Sequence, residues 1–384
     1  MTKANPAAVL SDELLERIAA RAPGYDAANA FCTEDLDELR AAGYLRLGVP
    51  VERGGAGLGL AAMTAVQRRL AEAAPATALG LGMHQVWVQA ARAVSARGES
   101  FLQAVTDHAA DDHLLAFGVS EPGNDAVLFD SLTTAEPDGD GGYRFTGTKV
   151  FTSLAPAWDV LSVFGKDESG PEPRLVHGFV LRSDGDVEHL DDWDTLGMRA
   201  TQSRTTKLRG VHVPADRIVR TLPVGPNQDP LVFGIFASFE LLVASVYVGI
   251  ASRAVSLAVS AVQSRASLDG TPRSEDPDVR RAIADLRGAV DAIELQVSSL
   301  ARSVDELGDL GPRWFPLLVG TKARAVDAAQ HVVDEAMRVV GGGAYRAGNE
   351  LARLARDVRA GQYHPSSRDS AARTIAASVL GPLA

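Results

Sequence analysis

The 384-residue chain has a single cysteine, Cys32, which excludes an internal disulfide framework and suits a reducing cytoplasm. No apolar run approaches the ~20 residues needed to cross a bilayer. Residues 1–30 are polar and charged and lack the apolar stretch of a secretory leader. These absences predict a cytoplasmic protein without a membrane partner. Lysine is scarce, with 5 against 33 arginines, and the net charge of −11 argues against non-specific nucleic-acid binding. The histidines have no metal-ligand spacing, so no metal is expected. What remains is ordinary globular composition, 46% hydrophobic and 23% charged, in a chain too long for one compact core.

The pattern along the chain changes twice. Residues 8–110 are rich in Ala and Leu, and Leu10, Leu14, Leu15, Ile18 and Ala19 recur at helical spacing. Short β-branched runs then alternate with turns at Ser131–Ala135, Tyr143–Thr146, Asp159–Phe164, Leu175–Leu181 and Thr205–Val213. Asp138-Gly139-Asp140-Gly141-Gly142 is a hairpin signal between two of them. Beyond a Pro/Gly/Asn linker at 223–230, helical periodicity returns at Phe233–Ser264, Asp278–Leu307, Pro312–Val340 and Glu350–Arg359. The expectation is an α+β protein in three domains: an N-terminal helical domain at 1–113, a central antiparallel β-domain at 114–222 and a C-terminal four-helix bundle at 223–384.

Five motifs stand in order on that framework. Val49-Pro50 precedes Gly54-Gly55 and Gly57-Leu58. Ser120-Glu121-Pro122 follows, then Gly142 to Ser153, then Asp191-Asp192-Trp193-Asp194-Thr195-Leu196-Gly197-Met198-Arg199. Last come Gly341-Gly342 before Tyr345 and the pair Arg356-Asp357. Together they resemble the acyl-CoA dehydrogenase superfamily across essentially the whole chain. The resemblance implies a flavin, FAD with FMN possible, and an oxidoreductase. Phe117, Val119 and Ser120 match positions lining the flavin, Phe151 matches the aromatic residue on the ring's outer face, and Ser153 matches a hydroxyl position beside it. Arg265 with Ser267 and Leu268 resembles an element gripping the cofactor from a neighbouring subunit. Arg338, Gly341 and Gly342 match a second such segment, and Ser367 with Asp369 match a further cofactor-proximal position after the last helix. The resemblance thereby implies a homodimer or homotetramer. Arg199 keeps the family's β-domain arginine, and His84 is a candidate for lining a substrate cavity. The residue chemistry agrees: aromatic rings supply wall, serine hydroxyls supply hydrogen bonds and arginine forks suit phosphate.

A dehydrogenase of this family needs a carboxylate to remove the substrate α-proton. The commonest position in the family falls here on Pro365, in Gly361-Gln362-Tyr363-His364-Pro365-Ser366-Ser367. The rarer position, on the first long C-terminal helix, falls on Phe239, one residue from Glu240. That residue is about 100° round a helix, so Glu240 becomes the candidate base if a small bulge restores it. His364 is the other catalytic candidate. The superfamily's flavin monooxygenase branch has a histidine at that spacing, near the flavin C4a–N5 edge. Glu121-Pro122-Gly123-Asn124-Asp125 is also shorter than the family's usual segment, which counts against a standard CoA thioester.

Three readings compete. The first is acyl-thioester α,β-dehydrogenation with an atypical base and an electron-transfer partner. The second is a small-molecule monooxygenase fed reduced flavin by a partner reductase. The third is a degenerate, non-catalytic family member.

Overall fold

The computed structural model describes residues 9–268 and 270–381. The first eight residues, part of the stretch expected to lack a leader, lie outside the described residues. The described residues include, in their N-terminal part, five helices: α1 (Asp12–Ala28), α2 (Thr33–Ala41), α3 (Leu60–Ala73), α4 (Pro75–Ser95) and α5 (Gln103–Ala110). Ser11 caps α1 by accepting from Leu14 N at 3.2 Å, and Leu14 and Ile18 form its buried stripe. Helix α4 is buried on nearly every side, as expected of a helix apolar all round.

Eight strands follow: β1 (Leu115–Phe117), β2 (Thr134–Pro137), β3 (Tyr143–Thr152), β4 (Val160–Asp167), β5 (Arg174–Leu181), β6 (Val187–His189), β7 (Arg204–Val213) and β8 (Ile218–Pro223). They form one sheet in the order β6-β7-β3-β2-β4-β5-β8, with β1 beside β4. Most pairings are antiparallel, but β1–β4 and β2–β4 are parallel. The hairpin signal at 138–142 does join β2 to β3, with Asp138 accepting from Asp140 N and Gly142 N, each at 2.9 Å. β1, β6 and β8 were not expected. The first two are only three residues long, too short to show alternation.

Five more helices complete the described residues: α6 (Pro230–Gln263), α7 (Pro277–Asp305), α8 (Trp314–Val340), α9 (Glu350–Asp357) and α10 (Arg368–Leu380). α6 is the central post, packed against α3, α4, α7 and α8. It also corrects one expectation, because it is long and apolar enough to span a bilayer by length and composition. Here 83% of its most apolar window is buried inside the molecule. α10 was also unforeseen. It mixes small and polar residues, buries only Ala371 and so shows no apolar stripe.

Candidate active site

A cavity of about 580 Å³ opens where the three parts of the chain meet. That lies within the ~300–1,000 Å³ typical of small-molecule and cofactor sites. Leu79 and Met83 of α4 form one side, Phe117 ends β1 with Ser120 just beyond it, and Phe151 and Ser153 come from the end of β3. Phe239 and Val243 of α6 and the segment from Arg356 to Pro365 close it. The cavity suits a flat aromatic ring system. Phe117 stacks on Phe239 at 5.6 Å between centroids, and Phe151 meets Trp193 edge-on at 6.2 Å. Phe151 is still 53% exposed, and the Trp193 indole N–H is buried with no partner among the described residues. An aromatic wall with an unspent donor fits a ring that carries acceptor atoms.

Backbone geometry holds these walls in place. Phe151 and Met198 have φ of 56° and 55°, and their neighbours Leu154 and Gln202 have φ of 67° and 44°. Such left-handed conformations are costly for bulky residues and gather at functional sites. Leu154 N donates to Thr201 O at 3.1 Å, which ties the two strained loops together. The 197–198 loop docks on α9. A Cβ on Gly197 would lie 2.5 Å from the Arg356 backbone, and Met198 N donates to the Asp357 carboxylate at 2.6 Å. Burial pushes the Asp357 carboxyl up to about 6, against the opposing charge of Arg353 and the Met198 hydrogen bond.

A hydroxyl chain lines one wall. Thr201 donates to Met198 O and Ser203 donates to Thr201 Oγ1, each at 2.8 Å. Ser203 has then spent its proton, so the 2.8 Å contact with Ser153 has Ser153 as donor. Ser153 therefore faces the cavity with its lone pairs. Ser120 is fixed through its carbonyl, which accepts from Val150 N at 2.9 Å.

Phe117, Ser120, Phe151, Ser153 and His364 are thus brought together. The other expected residues do not line this cavity. Val119 sits in the core beneath it. His84 is fully buried, with Nε2 2.8 Å from Leu45 O and Nδ1 accepting from Leu115 N at 3.1 Å. Burial pushes it down to about 4, so it is a neutral structural tie between helices and sheet. Arg199 donates to Asp26 O, Asp194 and Thr195 O and fastens α1 to the β-domain loop. Arg265 donates to Val340 O at 2.7 Å, which joins the 265–268 turn to the end of α8 just before Gly341 and Gly342. Arg338 is exposed beside Glu335. Ser267 belongs to a tight turn, donating from its N–H to Thr271 O at 2.8 Å. Ser367 caps α10, so the position expected after the last helix instead starts one.

Glu240 lies behind the cavity wall. α6 is helical throughout Pro230–Gln263, with no bulge to turn Glu240 inward, and Phe239 faces the cavity in its place. Glu240 Oε1 accepts from Ser366 N at 3.2 Å and Ser366 Oγ at 3.1 Å, while Oε2 has no partner among the described residues. Burial pushes this carboxyl up to about 7, with Lys322 and Ser366 opposing. Lys322 donates to His364 O at 2.9 Å and Ser366 O at 2.8 Å, so it clamps the backbone of the segment carrying His364. Thr201, Ser203 and Lys322 were not foreseen from the sequence; Phe239 and Tyr247 stood in noted segments, Tyr247 in Val246–Ala251, which resembles the monooxygenase branch, but neither was given a role in the site. For Phe239 the signal was present, since the family's rarer acid position falls on it.

The fold and this junctional cavity define a three-part enzyme scaffold of helices, sheet and helical bundle. Models of the acyl-CoA dehydrogenase N-terminal and C-terminal domains match residues 8–100 and 241–368. The chain belongs to the acyl-CoA dehydrogenase family. It is 31% identical to L-evernosamine nitrososynthase of Micromonospora sp., over 96% of this chain and 88% of that protein. It is 28% identical to dibenzothiophene monooxygenase of Rhodococcus qingshengii, over 91% of this chain and 88% of that one. The solved structure of KijD3 in complex with FMN and dTDP-3-amino-2,3,6-trideoxy-4-keto-3-methyl-D-glucose superposes with a TM-score of 0.87. There the identity is 27%, covering 98% of this chain and 95% of that one.

Proposed function

We propose that the chain is a flavin-dependent monooxygenase that oxygenates a nitrogen or sulfur atom of a small molecule. The observation that carries the reading is the cavity's ionisable lining: an imidazole, His364, beside Arg356, Arg359 and the Tyr363 phenol, and no carboxylate among the described residues. α-Proton removal requires a poised base. Pro365 and Phe239 occupy the two family positions for one, and Glu240 points elsewhere. The relatives that act on amino sugars and on dibenzothiophene support the same reading. FMN or FAD would lie between Phe117 and Phe151, with the Trp193 N–H, the backbone around Ser120 and the hydroxyls of Ser153 and Ser203 beside the ring.

A bound reduced flavin supplies two electrons, with which dioxygen gives one atom to the substrate and the other to water. The chain's own residues exclude solvent through Leu79, Met83, Phe239 and Val243, and orient the substrate against that wall. His364 holds a hydrogen bond toward the reacting centre, and Ser153 accepts one. Reduced flavin would come from a separate reductase. The single, buried Cys32 fits a cytoplasmic setting.

The test combines purified protein with FMN or FAD, a flavin reductase, NADH and a panel of amines and aromatic sulfur compounds under ¹⁸O₂. One labelled oxygen per product is expected, and His364→Ala should lower the rate by about 10²-fold or more. Bleaching of the flavin by an acyl-CoA under anaerobic conditions, with no ¹⁸O in any product, would overturn the reading in favour of dehydrogenation.

A further inference from the structure

Tyr247, midway along α6, is fully buried, and its hydroxyl lies 2.8 Å from His364 Nε2. Its ring is pressed against the segment that carries His364, because a Cβ on Gly361 would stand 2.9 Å from Tyr247 Cε1. The phenol has no other acceptor among the described residues, so its proton points at Nε2. A neutral imidazole has one N–H. If Nε2 accepts, that N–H is on Nδ1. His364 Nδ1 makes no hydrogen bond within the described chain and is not among its buried unpartnered atoms, while the residue lines the cavity. Its open nitrogen therefore faces the cavity.

We propose that Tyr247 is the positioning residue that locks His364 in its Nδ1–H tautomer, so that His364 meets the cavity's occupant as a neutral hydrogen-bond donor. Lys322 holds the backbone of the same residue from α8, so ring and main chain are fixed from two different helices. Charge states agree with the geometry. Burial, reinforced by Lys322, pushes the imidazole down to about 3, and burial with Asp357 nearby raises the phenol well above its usual value. Both groups stay neutral through the physiological range. The tautomer stands on the geometry alone, whereas its use rests on the monooxygenase reading.

The experiment uses the full-length protein without ligand, labelled with ¹⁵N at histidine Nδ1, in magic-angle-spinning NMR. The His364 signal is the one lost in His364→Ala. It should sit at the position of a protonated ring nitrogen and move toward the unprotonated position in Tyr247→Phe. An unprotonated Nδ1 in the wild type would overturn the proposal, even if Tyr247→Phe fails to fold. So would a signal that Tyr247→Phe leaves in place. In the reductase-coupled assay, product formed per oxygen consumed should fall about tenfold in Tyr247→Phe. A shifted tautomer with unchanged product yield would overturn the role in oxygenation. A wild type that oxygenates nothing would instead sink the monooxygenase reading and leave the tautomer measurement standing.

Discussion

Two buried glutamate–lysine sites flank the cavity, and they behave in opposite ways. Glu121, next to Ser120, accepts from Lys149 Nζ at 2.7 Å and from Ser131, Leu132, Thr133 and Asn124. Burial pushes its carboxyl up, but the Lys149 charge and these hydrogen bonds win and hold it at about 2. Among the described residues Glu240 has only Ser366 as a hydrogen-bond partner, leaves one oxygen unpartnered and has no lysine within ion-pair reach. Burial wins there, and the carboxyl rises to about 7. A touching cation and the number of donors together decide the outcome. A saturated carboxylate ties the Ser120 turn to the strand leading to Phe151, whereas an under-supplied one behind Phe239 keeps its proton up to about neutral pH.

The sharpest way to break this contrast is to remove the cation at the saturated site. Lys149 is fully buried and also lies over the Phe164 ring at 4.2 Å. Lys149→Met would leave Glu121 buried and ionised without its counter-charge, a change that costs about 3–5 kcal/mol. Urea unfolding at pH 7 reads it. A loss under about 1 kcal/mol would mean that the hydrogen bonds alone carry Glu121.

The next largest effect concerns pH at Glu240. Its folded pKa is raised above the ordinary carboxylate value, so the folded state holds the proton more tightly than the unfolded chain. The stability this gives is complete below about pH 4.5 and is lost as pH rises through about 7. Glu240→Gln removes the loss. The variant should gain up to about 3 kcal/mol on wild type between pH 5 and pH 8 in denaturant titrations. A flat difference across that range would show Glu240 ionised throughout. Glu121 has the opposite sign, since its contribution is present above about pH 4.5 and fades as pH falls toward 2.

These two sites also mark what could be read in the sequence. The three-part layout and the strand core at Val160–Asp167 and Arg174–Leu181 were legible, because periodicity and turn residues are local signals. Phe117, Ser120, Phe151, Ser153 and His364 were legible through family motifs, and they do meet. Glu240 was misplaced because its role hung on a single residue of helical register, and only an observed helix shows which neighbour faces in. Thr201, Ser203, Tyr247 and Lys322 act through contacts made across the fold. Tyr247 and His364 stand 117 positions apart, and no local pattern announces such a pair.

The smallest effect separates the two sites by coupling rather than by cost. Lys322→Met leaves the His364 and Ser366 carbonyls without their donor, which should cost about 1–3 kcal/mol. That cost comes from the carbonyls, so it should hardly depend on Glu240. A double-mutant cycle of Glu240→Gln with Lys322→Met at pH 6, where the buried acid is mostly neutral, should give an interaction energy under about 0.5 kcal/mol. The matching cycle of Glu121→Gln with Lys149→Met should reach about 2–3 kcal/mol, because there the two charges touch. Equal coupling at both sites would mean that Glu240 is ionised beside Lys322 and would return it to contention as a base.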